Sequence, residues 1–174
     1  VDTRPVLSPA ELIAKYDMIM EAVGRHIRQI PDDKLGGKFL DRDRTYRELT
    51  YHIFRIAEAL MDTASGAELT VSYYHDNPPA DMQTIEQIAS FGDDVRGRLN
   101  AWWEAYPHKN GEALVNTYFG NKPLHEVLER STLHSGQHGR QIVMAMGEFM
   151  GIAADNPLTA DDYAGLPMPE KAWD

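Results

Sequence analysis

The sequence predicts an all-α protein, a four-helix bundle with up-down-down-up order and a long crossover between its second and third helices. Three observations carry this. Four stretches place apolar residues at helical spacing. The second and third are separated by a connection over 64–80, far longer than an antiparallel hairpin needs. At 174 residues the chain is long enough to bury a core without staples, and it contains no cysteine to make one. One domain over 1–174, with a C-terminal tail wrapping the bundle, is the expected organisation.

The first helix opens at Ser8-Pro9-Ala10-Glu11, a capping box with proline in the first turn. Leu12, Tyr16, Ile19, Met20, Val23, Ile27 and Ile30 follow at helical intervals, and Pro31 ends the run. His26 lies at the edge of this stripe. Residues 31–44 are polar, carry Gly36-Gly37, and read as a loop. The second helix starts near Thr45, with Glu48 completing another capping box. Its stripe is Leu49, His52, Ile53, Ile56 and Leu60, so His52 sits within an apolar seam. A core histidine bonded to a backbone carbonyl is the simplest account of that position taken alone.

The connection from Ala64 to Ala80 contains Gly66, Asn77, Pro78 and Pro79, and an aromatic middle, Tyr73-Tyr74-His75, that reads as a lid or a packed loop. Extended at ~3.3 Å per residue, it can travel the ~30 Å of a 20-residue helix. It is therefore expected to leave the flanking helices parallel. The third helix is expected from Asp81 to Tyr106, with Met82, Ile85, Ile88, Ala89, Val95, Leu99, Trp102 and Tyr106 on its apolar face and Gly92 and Gly97 weakening it. Residues 112–122 include a short extended run. Pro123 opens the fourth helix, whose face reads Leu124, Val127, Leu128, Ser131, His134, His138, Ile142, Ala145 and Phe149, with Gly151 as its C-cap. The tail from Asn156 is expected to pack through Leu158, Tyr163, Leu166 and Trp173.

A net charge of −10 with no basic stripe argues against nucleic acid as a partner. No apolar run approaches the ~20 residues that span a bilayer, and no signal-peptide pattern opens the chain. A cytoplasmic protein is expected.

The residues with chemistry are His134 and His138, which share one helix face a turn apart, and His52 on an earlier helix. Three neutral imidazoles on converging seams can satisfy one another through a shared divalent cation such as zinc or nickel, leaving a coordination position open. The other histidines (26, 75, 108 and 125) read as loop or helix-start residues and are left out. Arg140 is a candidate to bind a carboxylate bidentately and Gln137 a candidate donor beside the ligands, which makes both candidate cofactor-binding residues. Their plainer readings are a surface arginine and a polar bundle edge. Tyr51 faces away from His52 on its helix and receives no role.

The stretch Leu128-Glu129-Arg130-Ser131-Thr132-Leu133-His134-Ser135-Gly136-Gln137-His138-Gly139-Arg140-Gln141, with Leu49-Thr50-Tyr51-His52-Ile53, resembles the bacterial DinB-like metalloprotein superfamily over about 8–152. The resemblance implies an up-down-down-up bundle with one divalent metal ion on His52, His134 and His138. Some relatives use a low-molecular-weight thiol, as in mycothiol-dependent maleylpyruvate isomerase and bacillithiol transferases. It therefore points to a metal-dependent thiol S-transferase or isomerase, with a small-molecule thiol and an electrophile as partners. Because the chain has no cysteine, the thiolate must come from outside. A homodimer, and a glutaredoxin-like domain fused ahead of Val1 or interacting with the bundle, are further partner expectations. Three alternatives stay open at this point: a hydrolase using metal-bound water, a non-catalytic metal-binding stress-response bundle, and a metal-free interaction domain with core histidines.

Overall fold

The computed structural model describes residues 6–74 and 77–172, and the side chains among them except those of Tyr73 and Tyr74. The expected roles of the Tyr73-Tyr74-His75 side chains and of Trp173 lie outside the described residues. Helix α1 spans Pro9–Ile27, α2 Tyr46–Ala64, the short α3 Val71–Tyr74, α4 Ile85–Ala105 and α5 Leu124–Phe149. A hairpin of β1 (Leu114–Thr117) and β2 (Gly120–Pro123) precedes α5. Among the described residues no helix is long and apolar enough to cross a membrane.

Capping sets the helix starts. Ser8 Oγ accepts from Glu11 N while Glu11 Oε1 accepts from Ser8 N, and Thr45 and Glu48 repeat the exchange for α2. The same device starts α4 at Ile85 rather than Asp81: Thr84 and Gln87 cap each other there. Met82 lies ahead of the helix and packs on the core from the loop. α1 ends at Ile27, short of the expected Ile30, because the backbone tightens into turns at 28–30. Ile30 is nevertheless buried, so the apolar stripe outlasts the helix. At the end of α5, Gly151 takes a left-handed φ of +66° and Ile152 N bonds Met146 O at 2.8 Å, which closes the last turn.

Side-chain pairs give the helix directions. Tyr51 stacks on Phe91, the Phe54 ring lies against Gly92, and Arg98 bonds Glu58 at 2.6 Å. The partners ascend together, so α2 and α4 run side by side in the same direction. Asp17 pairs with Arg96 and Glu86 with Arg28, so α1 and α4 are antiparallel. Tyr16 meets Ser135 and Val23 meets Gly139, so α1 and α5 are parallel. Gly92, expected only to weaken its helix, gives the Phe54 ring its room: a Cβ there would lie 2.5 Å from the ring.

The core lies between these four helices and draws on the loops as well. The α1–α2 loop, read as polar, buries Leu35 and Phe39. The tail crosses α1 and α5 with Leu166 buried and Leu158 and Tyr163 partly so. Lys15 bonds Asp162 O at 2.8 Å, and Gln29 bonds Ala153 O at 3.0 Å. At the opposite end, His125 Nε2 donates to Leu7 O at 2.7 Å and Gly111 abuts Pro9, which fixes where the chain enters α1.

Candidate metal centre

The phrase His134-Ser135-Gly136-Gln137-His138-Gly139 serves three neighbours at once. Its glycines face α1: a Cβ at Gly139 would lie 2.9 Å from Val23, and one at Gly136 3.3 Å from Ile19. Ser135, fully buried, donates to Ile53 O of α2 at 2.9 Å and shares a 2.7 Å bond with the Tyr16 hydroxyl of α1. This polar staple locks the three helices at the level of the histidines. No reading of periodicity assigned it, because its partners are distant in sequence.

The remaining face carries His134 and His138 toward His52. Ring centroids are 5.5 Å apart for His52 and His134, 5.2 Å for His52 and His138, and 4.7 Å for His134 and His138. One candidate ligand nitrogen from each lies within 4.8 Å of the others. Tetrahedral bonds of ~2.1 Å hold their nitrogens about 3.4 Å apart, so modest side-chain rotation brings this set to ligation geometry. All three can therefore hold one metal ion.

His138 adds a specific observation. Its Nε2 is buried without a hydrogen-bond partner among the described residues, while Nδ1 lies 2.7 Å from Gln141 Oε1. Burial pushes this imidazole down to about 4, and the nearby Arg44 and Arg42 charges act in the same direction, against the Gln141 bond. The ring is thus neutral near pH 7, with a buried nitrogen on a ring that lies beside two other imidazoles. That is the donor a borderline-soft divalent ion takes.

A cleft of about 710 Å³ opens onto His134 and His138. Its far wall comes from the α1–α2 loop, with Phe39, Arg42, Asp43 and Arg44, and from Glu48 and Leu49 at the start of α2. Sequence reasoning passed over that loop, since nothing local marks it as facing the histidines. Gln137 reaches the cleft, but its Nε2 donates to the carbonyls of Lys171 and Ala172, at 3.0 and 2.8 Å. Arg140 lies beneath the tail and not along the cleft. It bonds Gln137 Oε1 at 3.1 Å, Pro169 O at 2.8 Å and Glu170 O at 3.1 Å. In place of the expected carboxylate, its guanidinium holds backbone oxygens.

Of the histidines set aside, His26 is in the last turn of α1, not in a loop or at a helix start. It is buried, with Nε2 bonded to Asp155 O at 2.9 Å. Burial, reinforced by Arg25, holds it below the usual imidazole range. For both His26 and His138 the unfolded chain binds protons more readily than the folded one. The metal-free protein should hold its stability above about pH 6.5 and lose it as pH falls toward about 4. Urea midpoints across that range test this; a flat profile would contradict the buried neutral state of both rings.

No protein-family model matches the chain, and no curated protein does either. Solved structures do. A DinB-like protein from Bacillus cereus ATCC 10987 superposes with a TM-score of 0.68 at 14% identity, covering 86% of this chain and 97% of the other. The chain has the DinB-like fold. A mycothiol-dependent maleylpyruvate isomerase gives a TM-score of 0.51 at 19% identity over 76% of this chain, and a histidine-to-alanine mutant of that isomerase gives 0.57 at 14% over 84%. This DinB-like bundle spans about 60% of the isomerase's length. At such identities the likeness concerns the fold, and the case for a site rests on the histidine geometry.

Proposed function

We propose that this bundle is a metal-dependent enzyme of the thiol S-transferase type, with His52, His134 and His138 as metal ligands. The observation that carries the proposal is the buried Nε2 of a neutral His138, without a hydrogen-bond partner among the described residues and set with two further imidazoles beside an open cleft. A divalent ion at such a site lowers the pKa of a bound thiol and polarises a carbonyl. The chain has no cysteine, so the thiol is a cosubstrate. The mycothiol dependence stated for the similar isomerase supports that choice.

The chain's own residues supply the remainder. Phe39 and Leu49 give the cleft an apolar wall, and Arg42 and Arg44 place cationic groups on the side facing His138. An electrophile carrying a carboxylate suits that wall, and Arg42 then orients it without touching the metal. Replacing Arg42 by alanine should raise KM for an anionic electrophile about tenfold, the loss of one charge-assisted bond, while kcat and metal content stay close to those of the parent.

The test is a conjugation assay with metal-loaded protein and a set of small thiols and electrophiles. Acceleration that requires the metal and disappears in His134→Ala supports the proposal. Ester or amide hydrolysis proceeding without any thiol would replace it with a hydrolase. Stoichiometric metal without turnover in either assay would point to a sensing or structural bundle.

A further inference from the structure

Among the described residues, the C-terminal tail is linked to His138 through the Gln141 amide. Gln141 is buried on α5, one turn beyond His138. Its Nε2 donates to Ala172 O at 2.8 Å and its Oε1 lies 2.7 Å from His138 Nδ1. The assignment of these atoms follows from chemistry. A backbone carbonyl can only accept, so the amide NH2 must face Ala172. The amide oxygen must then face His138, and an oxygen can only accept. Nδ1 therefore carries the imidazole proton, and Nε2 holds the lone pair. That Nε2 is buried with no hydrogen-bond partner among the described residues.

Gln137 and Arg140 secure the same short segment. Gln137 Nε2 also donates to Ala172 O and Lys171 O, and Arg140 donates to Pro169 O and Glu170 O. Every one of these bonds ends on a main-chain oxygen, so the segment is held by its backbone whatever side chains it carries. The five bonds, from three residues in the span 137–141, make the carbonyl opposite Gln141 a fixed feature.

We infer that Gln141 is a positioning residue for His138, and that the backbone of residues 169–172 sets its orientation. The tail thereby selects the Nδ1–H tautomer and presents Nε2 to the cation. This extends the metal reading above and rests on it. Without the Ala172 carbonyl, the Gln141 amide is free to turn over. Its NH2 would then face Nδ1, favour the Nε2–H tautomer, and place a proton where the metal must bind. A glutamate at 141 has oxygens on both sides and cannot make that error.

The experiment pairs the tail with this residue. Metal affinity is measured by chelator competition, and the His138 tautomer by long-range nitrogen–proton NMR of the metal-free protein. Four chains are compared: the parent, Gln141→Glu, the chain ending at Met168, and that shortened chain carrying Gln141→Glu. The parent should show Nδ1–H at His138. Shortening should mix the tautomers and weaken zinc binding about 10- to 100-fold, the range typical when a ligand loses its outer hydrogen bond. In the Gln141→Glu background the same shortening should leave affinity unchanged or tighter, because a carboxylate needs no tail to direct it. Gln141→Leu in the full chain should mix the tautomers as shortening does, and it covers the case of a shortened chain that folds poorly. Equal weakening by shortening in both backgrounds would overturn the relay and leave the tail a general packing element. An Nε2–H tautomer in the parent would overturn it as well. If the parent binds no zinc, the metal reading fails, while the tautomer comparison still decides the relay.

Discussion

Replacing His138 by alanine is expected to reduce metal affinity by more than about 100-fold, beyond the loss typical when only an outer hydrogen bond is removed. The reason is geometric. Two imidazoles are left on separate helices, and the ring removed is the one whose buried Nε2 has no hydrogen-bond partner among the described residues. His52→Ala and His134→Ala should behave alike, since each ring centroid lies within 5.5 Å of the other two. His125→Ala is the control: that histidine bonds Leu7 O at the other end of the bundle and should leave metal content intact. Metal ought also to raise the melting temperature of the parent, because the ligands converge only when α2 and α5 are packed. The same addition should do little for the three variants. Inductively coupled plasma analysis with thermal scans checks both statements. Full stoichiometry in the triple alanine variant would show that the metal sits elsewhere.

Phe54→Ala should cost about 3–5 kcal/mol of stability, as large aromatic truncations in closed cores do. Phe54 is almost wholly buried, and its ring fills the space over Gly92 between the two parallel helices. The converse change, Gly92→Val, drives a side chain into that ring and should cost roughly 1–3 kcal/mol. Because the two positions share one volume, the double variant should be more stable than the sum of the single losses implies. Urea denaturation of the four proteins measures the coupling. Strict additivity would mean that α2 and α4 do not meet face to face at this level.

The legible parts of the molecule were those with a local period. Four helices could be read from apolar stripes, and three histidines from their places within those stripes. What escaped depended on contacts between residues far apart. Residues 81–84 resembled helix because Met82 continued the stripe, while the Thr84–Gln87 cap that starts α4 uses a glutamine in place of the more familiar glutamate. Phe39, Arg42 and Arg44 sit in a loop with no pattern, and only packing turns them toward His138. Gln137 and Arg140 looked like ligand-binding groups because of their neighbours in the chain, yet their donors meet carbonyls about thirty residues later. The resemblance to DinB-like proteins anticipated the fold at identities where no family model matches.

The anchoring of the chain's entry at Leu7 and Pro9 bears on tether design. His125, which holds Leu7, lies 9 residues before His134 and 13 before His138 on the same helix, or about 14 to 20 Å along its axis at 1.5 Å per residue. A redox domain joined ahead of α1 would thus be moored at the end of the bundle where α1 and α5 begin, below the level of the histidines. To deliver a thiol to the cleft it would need a leash of about four to six extended residues, at ~3.3 Å each, merely to draw level. With a shorter leash the domain would serve only the cleft of a separate molecule, and the rate would then rise with protein concentration. With a longer one the delivery becomes intramolecular and independent of dilution.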